Sequence, residues 1–293
     1  MKPAAFRYAA PGSMNDALHL LRESGEEARV LAGGQSLVPM MNFRLVQPSV
    51  LIDLNRMPGW SFIDIRDGAL VIGAMTRQAM IEDSPVVASH CALLADAVRL
   101  VAHRQIRTRG TLGGSLALAY PGAELPLVVL TLGGEITVVS LDGERCIPAV
   151  KFFRGALSTS LRPDELITSV RLPLCAANAG MAFVEVSRRH GDFALVGAAV
   201  VLELDGASNI RLARIGVTGV TAMPVRAASA EAVLLGKPAV EESFVAAAGI
   251  AAAEVDVLDD PQYPALYRRE LVAAIVRRGL RLAASRVGGV DGA

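Results

Sequence analysis

Residues Leu31–Leu45 read LAGGQSLVPMMNFRL. A strand-like lead, ARVL at 28–31, runs into Gly33 and Gly34, then polar Gln35 and Ser36, then a second apolar run. The spacing is neither the G-x-G-x-x-G dinucleotide fingerprint nor a P-loop ending in Gly-Lys-Ser/Thr. Paired glycines let a backbone turn with φ > 0 and let a ligand approach where no Cβ intervenes. Successive N–H groups in such a turn form an anion-binding nest. A helix starting after Ser36 would add free N–H groups and a favourable dipole.

A second loop echoes the first. Gly110-Thr-Leu-Gly113-Gly114-Ser115 again follows a Gly-Gly pair with a small polar residue. Two such loops converging on one diphosphate would bind it without a lysine, with Gln35, Ser36, Thr111 and Ser115 as side-chain donors. On spacing alone, the plainer reading of two tight strand-to-helix turns is equally good. Neither loop specifies a nucleotide.

Around the first loop, Ser13-Met-Asn-Asp16 forms a capping box with Asp in place of Glu. Ala17, Leu18 and Leu21 share one helix face, and Gly25 is a stop signal. Strands are expected at ARVL, SVLIDL (49–54) and GALVIGAMT (68–76), giving a small β–α–β unit in the first sixty residues. Residues 91–105 carry helical spacing, and 107–126 read as a long glycine- and proline-punctuated loop region. LPLVVLTLGG is expected to start helical. EITVVSLDGERC (135–146) is a strand and hairpin with a turn at Asp142-Gly143, and 164–174 is another strand. After a boundary at LCAANAG (174–180), three long strands without intervening helices suggest an antiparallel sheet. Helices are expected over 226–235, 241–255 and about 264–286, and a frayed end at GGVDGA.

The 293 residues suffice for two domains. A formal net charge of zero argues against a general nucleic-acid or acidic-membrane binder. No apolar run reaches a membrane span, and MKPAAFRYAAPGS lacks a secretory core, so a cytoplasmic protein is expected. Cys91, Cys146 and Cys175 form no C-x-x-C pair, which leaves no thiolate set for zinc or an iron–sulfur cluster. His19, His90, His103 and His190 show no metal-ligand spacing and read as ordinary surface or core residues.

The whole chain resembles the FAD-binding medium subunit of the molybdenum hydroxylases, the carbon monoxide dehydrogenase/xanthine dehydrogenase group. The resemblance rests on KPAAF (2–6) with Tyr8, AGGQSL (32–37) with Pro39, FRL (43–45), Pro48, LIDLNRM (51–57) and IGAMT (72–76). RQIRTRGTLGGSLALAYPGAELP (104–126) and SRRHGDFALVGAAV (187–200) complete it. It implies an α+β fold. A two-subdomain FAD-binding domain of the vanillyl-alcohol-oxidase-like (PCMH) type would span 1–176, divided near 57. A small C-terminal domain, 177–293, would carry a three-stranded antiparallel sheet and a helical bundle.

The resemblance assigns the FAD diphosphate to Ala32, Gly33, Gly34, Gln35, Ser36 and Leu37 in loop one, and to Thr111, Leu112, Gly113, Gly114 and Ser115 in loop two. Glu124, where relatives usually have Asp, would reach the ribityl chain. Ile167 would line the adenine side, and Phe193 would lie against the isoalloxazine ring. Arg104, Arg107 and Arg109 would pair with the diphosphate or with a partner subunit, or simply be solvated. Two departures stand out. Relatives often read His-Ala-Asp-Pro where this chain has Leu118-Ala-Tyr120-Pro, and Glu185 replaces a residue that is often basic. Tyr120 would stack on the flavin or cap its loop.

The implied function is electron transfer, with no catalytic acid or base in this chain. A large subunit would hold molybdenum–pterin and a small one two [2Fe–2S] clusters, in a dimer of heterotrimers. Electrons would pass to FAD here and on to an external acceptor. The substrate stays open among carbon monoxide, an aldehyde, a purine and another N-heterocycle. The alternatives are a stand-alone flavin oxidase, disfavoured because neither loop holds a His or Cys for covalent attachment, and a module that has lost FAD.

Overall fold

The computed structural model describes residues 1–288, so the expected fraying beyond Gly288 lies outside the described residues. The chain opens with β1 (Arg7–Ala9), α1 (Met14–Ser24), β2 (Ala28–Leu31), α2 (Leu37–Asn42) and β3 (Val50–Asp53). The Ser13 hydroxyl accepts from the Asp16 amide and caps α1, and Gly25 ends the helix at φ 51°. β1, unexpected from the sequence, pairs in parallel with β3, and so does β2, giving the order β1-β3-β2. Ala17, Leu18 and Leu21 of α1 pack with Ile52 and Val50 in one small core. This β–α–β unit aims the C-terminal ends of β2 and β3 at the same edge, where parallel sheets carry their ligand sites.

A five-stranded antiparallel sheet follows: β4 (Ile63–Arg66), β5 (Ala69–Gly73), β6 (Glu135–Ser140), β7 (Gly143–Pro148) and β10 (Leu166–Pro173), in the order β4-β5-β10-β6-β7. Between β5 and β6 come α3 (Gln78–Glu82), α4 (Pro85–His90), α5 (Ala92–Leu100), α6 (Arg104–Arg107), α7 (Leu112–Leu118) and α8 (Glu124–Thr131). After β7 lie α9 (Ala149–Phe152) and the short pair β8 (Phe153–Gly155) and β9 (Ser158–Thr159).

Two expectations need correction here. The helix expected over 91–105 breaks at Ala102, whose φ is 45°, into α5 and α6. The expected loop region at 107–126 contains α7 and the start of α8. Glycines at 113 and 114 weaken helix propensity by roughly 1 kcal/mol each, but Thr111 caps α7 by accepting from the Gly114 amide. Gly113 is held against Ala74, where a Cβ would lie 2.7 Å from the alanine Cβ.

The C-terminal part has four strands rather than the expected three: β11 (Gly180–Val186), β12 (Val196–Leu204), β13 (Ile210–Thr218) and the short β14 (Val225–Arg226), all antiparallel. Then come α10 (Ala228–Leu234), α11 (Glu241–Glu254) and α12 (Ala265–Ser285). Side chains alternate across this sheet. Met181, Phe183, Ala199 and Val201 join the large core with α5 and α8. Ala182, Val184, Ala198, Val200 and Leu202 join a second core under α10–α12. Helices therefore cover both faces, which is why VGAAVVLEL reads as a continuous apolar run. Among the described residues no helix is long and apolar enough to cross a membrane. No group of His, Cys, Asp and Glu among them is arranged to hold a metal ion.

Candidate cofactor site

The two glycine loops meet. A Cβ on Gly33 would collide with the Arg109 carbonyl oxygen and lie 2.8 Å from the Gly110 Cα. Gly114 of loop two faces Ala32 of loop one, at 3.8 Å from the alanine Cβ to where its own Cβ would be. Gly34 sits at φ 74°, a conformation that L side chains rarely adopt. Its carbonyl accepts from the Val38 amide at 3.1 Å, starting α2.

The loops differ in what they leave free. In loop one, the amides of Gly34, Gln35 and Ser36 donate to no protein group among the described residues. In loop two, the Leu112 amide donates to the Thr76 carbonyl at 3.1 Å and the Gly113 amide to that of Ala74 at 2.8 Å. Gly114 and Ser115 donate to the Thr111 hydroxyl and carbonyl. Thr111 alone keeps an uncommitted amide there, because it faces Arg77 as a bridge pair whose bonds run through residues 76, 78, 110 and 112. Loop one is thus an open nest, and loop two is largely a scaffold with one free donor.

A cavity of about 400 Å³ lies beside loop one, lined by Ala32, Gly33, Gly34, Gln35, Asp53 and Arg109 among others. Its floor is a polar chain that the sequence reading did not single out. The Tyr8 hydroxyl donates to Asp53 at 2.6 Å. Asn55 donates from its backbone to Asp53 at 2.8 Å and from its side chain to the Ala32 carbonyl at 2.9 Å. Arg77 donates to the Asn55 side-chain oxygen at 2.6 Å and to the Arg109 carbonyl. Burial pushes the Asp53 carboxyl up, but the bonds from Tyr8 and Asn55 outweigh it and hold it below the ordinary range. Burial, with the charge of Arg109, lowers the Arg77 guanidinium. Asn55 therefore ties the β3 end to loop one, and Arg77 ties both to the start of loop two. The LIDLN string was the available signal, but read as a strand it suggests core.

The three arginines before loop two have separate fates. Arg107 is buried and bidentate on Glu82, both at 2.9 Å, with its other nitrogen donating to the Val101 carbonyl at 2.8 Å and that of Ala102 at 3.2 Å. Arg104 pairs with Glu82 and Asp83. Neither is free to meet a diphosphate; Arg109, at the cavity wall, is.

Leu37 directly follows Ser36 and opens α2. The remaining residues do not line the cavity beside loop one. Ile167 is buried in the large core on β10 and does not line the cavity. Phe193 is half-exposed and stacks on Tyr120, ring centroids 3.9 Å apart. The aromatic partner of Tyr120 in this structure is therefore Phe193. Glu124 is buried at the start of α8, where burial first, and then the charge of Glu185, push its carboxyl up to about 8.

Residues 4–175 match the family model described as "FAD binding domain in molybdopterin dehydrogenase". The chain belongs to that family. Residues 181–283 match the carbon monoxide dehydrogenase flavoprotein C-terminal domain. The chain is similar to the 6-hydroxypseudooxynicotine dehydrogenase complex subunit alpha of Paenarthrobacter nicotinovorans, 41% identical over 98% of this chain and 97% of that protein. It superposes on a chain of carbon monoxide dehydrogenase from Hydrogenophaga pseudoflava with TM-score 0.95 at 38% identity, covering 98% and 100% of the two chains. Quinoline 2-oxidoreductase from Pseudomonas putida 86 gives 0.93 at 36% identity, over 97% and 99%. The likeness spans both parts of the chain, so it is an oxidoreductase subunit with an FAD-binding domain. The open amides, a wall where Gly34 leaves no side chain and the adjoining cavity fit a diphosphate-bearing cofactor.

Arg107→Ala leaves the Glu82 carboxylate short of its main partner and frees two carbonyls. The expected loss is about 3 kcal/mol in denaturant unfolding. The Arg107 bond, the largest influence on Glu82, depresses its carboxyl, burial opposes it, and Arg104 adds to it. The stabilisation is therefore present above the unfolded value of about 4.3 and lost as pH falls through the lower folded value. The difference between native and variant chains should shrink in acid.

Proposed function

We propose that the FAD diphosphate seats on loop one, with Ala32, Gly33, Gly34, Gln35, Ser36 and Leu37 around it, and that loop two closes it through the Thr111 amide. The observation that carries this reading is the set of three uncommitted amides that follow Gly33, whose backbone packs on Arg109 and Gly110 of the second loop. Each charge-assisted hydrogen bond contributes about 1.5–3 kcal/mol, so a handful suffices for firm binding. Leu112, Gly113, Gly114 and Ser115 fix the geometry of the clasp from behind. Arg109 supplies positive charge at the cavity wall, while Asn55 and Arg77 hold the loops in register. On the far side, Glu124 would meet the ribityl chain and Phe193 the ring face, with Tyr120 stacked behind it; Ile167 would shape the adenine side from within the core.

When bound, FAD supplies the redox chemistry, and the protein supplies position and electrostatics. The chain serves as the medium, electron-transferring subunit of a molybdenum hydroxylase, beside a large molybdenum–pterin subunit and a small [2Fe–2S] subunit. We assign the complex to the cytoplasm as a dimer of heterotrimers, with the FAD-binding domain in residues 1–176 and the C-terminal domain in 177–293. A stand-alone flavin oxidase is disfavoured because neither loop holds a His or Cys.

The purified full chain should show a flavin visible spectrum and release free FAD on denaturation. A colourless chain that takes up no added FAD would overturn the reading. Gly34→Val adds about 1–2 kcal/mol of backbone strain and crowds the nest, since a Cβ there already meets Leu31 and Val38 at 3.1 and 3.2 Å. It should lower FAD retention at least tenfold while a soluble folded chain remains; unchanged retention would count against loop one.

A further inference from the structure

Glu124 is buried, and no salt bridge or hydrogen bond from another side chain reaches it among the described residues. Glu185 has a buried Oε2 with no hydrogen-bond partner. Sheet alternation places both on the same side of the sheet. Met181 and Phe183 of β11 face the large core, and Ala182 and Val184 face the core under α12. Glu185 shares the face of Met181 and Phe183, towards α5 and α8, and α8 begins with Glu124. The segment before α8 is clamped to the same sheet. The Thr218 hydroxyl and Gly219 amide both donate to the Pro121 carbonyl, at 2.5 and 2.9 Å. A Cβ on Gly122 would lie 2.8 Å from the Ala194 carbonyl oxygen.

The charged groups on the surrounding elements do not neutralise this seam. Asp96 of α5 pairs with Arg286, and Glu203 of β12 pairs with Arg211 of β13. Arg214 of β13 donates to the Leu132 carbonyl, and Arg226 of β14 pairs with Glu231. His103 and His190 stack on each other. Among the described residues Arg99 of α5 and Lys151 of α9 form no salt bridge with either carboxyl, and α12 packs on the opposite face of the sheet. Two carboxylates with no cation between them do not both ionise when buried.

We propose that Glu124 and Glu185 hold one proton between them at neutral pH, and that this pair exchanges protons with solvent in response to charge arriving at the adjacent cofactor site. The second clause rests on the placement of FAD proposed above. Burial pushes Glu185 up to about 7, and burial together with Glu185 pushes Glu124 up to about 8, so both respond within the physiological range. Electrons delivered by the iron–sulfur subunit arrive without protons and make the site more negative. A carboxylate oxygen of the pair then accepts a proton from water, and it returns that proton when the electrons leave. The pair is a positioning device for charge, not a catalytic acid.

Infrared spectroscopy of the full chain freed of FAD tests the pair without reference to the flavin. A protonated carboxylic-acid carbonyl stretch is expected near neutrality and should vanish in alkaline buffer. Glu185→Gln should move its midpoint to lower pH, and the double variant Glu124→Gln/Glu185→Gln should lack the band while keeping the native circular dichroism. No band near neutrality, a band that survives in the double variant, or an unmoved midpoint in Glu185→Gln would overturn the shared proton. In the FAD-loaded chain, the reduction potential should fall more steeply with pH in the native protein than in the double variant over the range where the band titrates. Parallel profiles would overturn the coupling. A chain that bound no FAD would leave the infrared result standing.

Discussion

The backbone-to-backbone contact of Gly33 with Arg109 and Gly110 is the constraint on which the site depends. Any side chain at 33 would drive the two loops apart. With none, a β–α–β unit and a helical crossover from a separate sheet meet at van der Waals distance. Glycine is required here by its missing Cβ, and at position 34 by its backbone conformation. These two adjacent residues thus answer different demands.

The contact also explains why the loops are not equivalent. Loop two is stitched to residues 74–76 by its own amides and anchored upstream through Arg107 on Glu82. Loop one spends none of its central amides on other groups among the described residues. A rigid loop that satisfies itself therefore braces a loop whose donors stay open, and preorganised donors bind without an ordering penalty. The chain Tyr8–Asp53–Asn55–Arg77 fixes the spacing between them from below.

Much of this was legible from the residues. Gly33-Gly34 and Gly113-Gly114 announced both loops, the Ser13 cap and the spacing of Ala17, Leu18 and Leu21 announced α1, and the family resemblance named the ligand. What escaped had physical reasons. α7 was hidden because Gly113 answers to Ala74, a contact no local pattern records. β1 has three residues, too few for a period. Asp53 and Asn55 sit in a buried strand end that reads as core. The roles of Arg104 and Arg107 depended on Glu82 and Asp83, more than twenty residues away. The Glu124–Glu185 seam needed the tertiary packing of α8 and α5 on one face of the C-terminal sheet.

The central claim is that loop one gives its amides and loop two, apart from Thr111, gives its shape. Amide nuclear magnetic resonance of the FAD-free chain titrated with FAD tests it most directly. The account predicts large shifts and slowed exchange at Gly34, Gln35, Ser36 and Thr111, with Leu112, Gly113 and Gly114 protected from exchange before FAD is added and unchanged after. Equal responses from both glycine pairs, or protection appearing at Gly113 and Gly114 only with FAD, would contradict it.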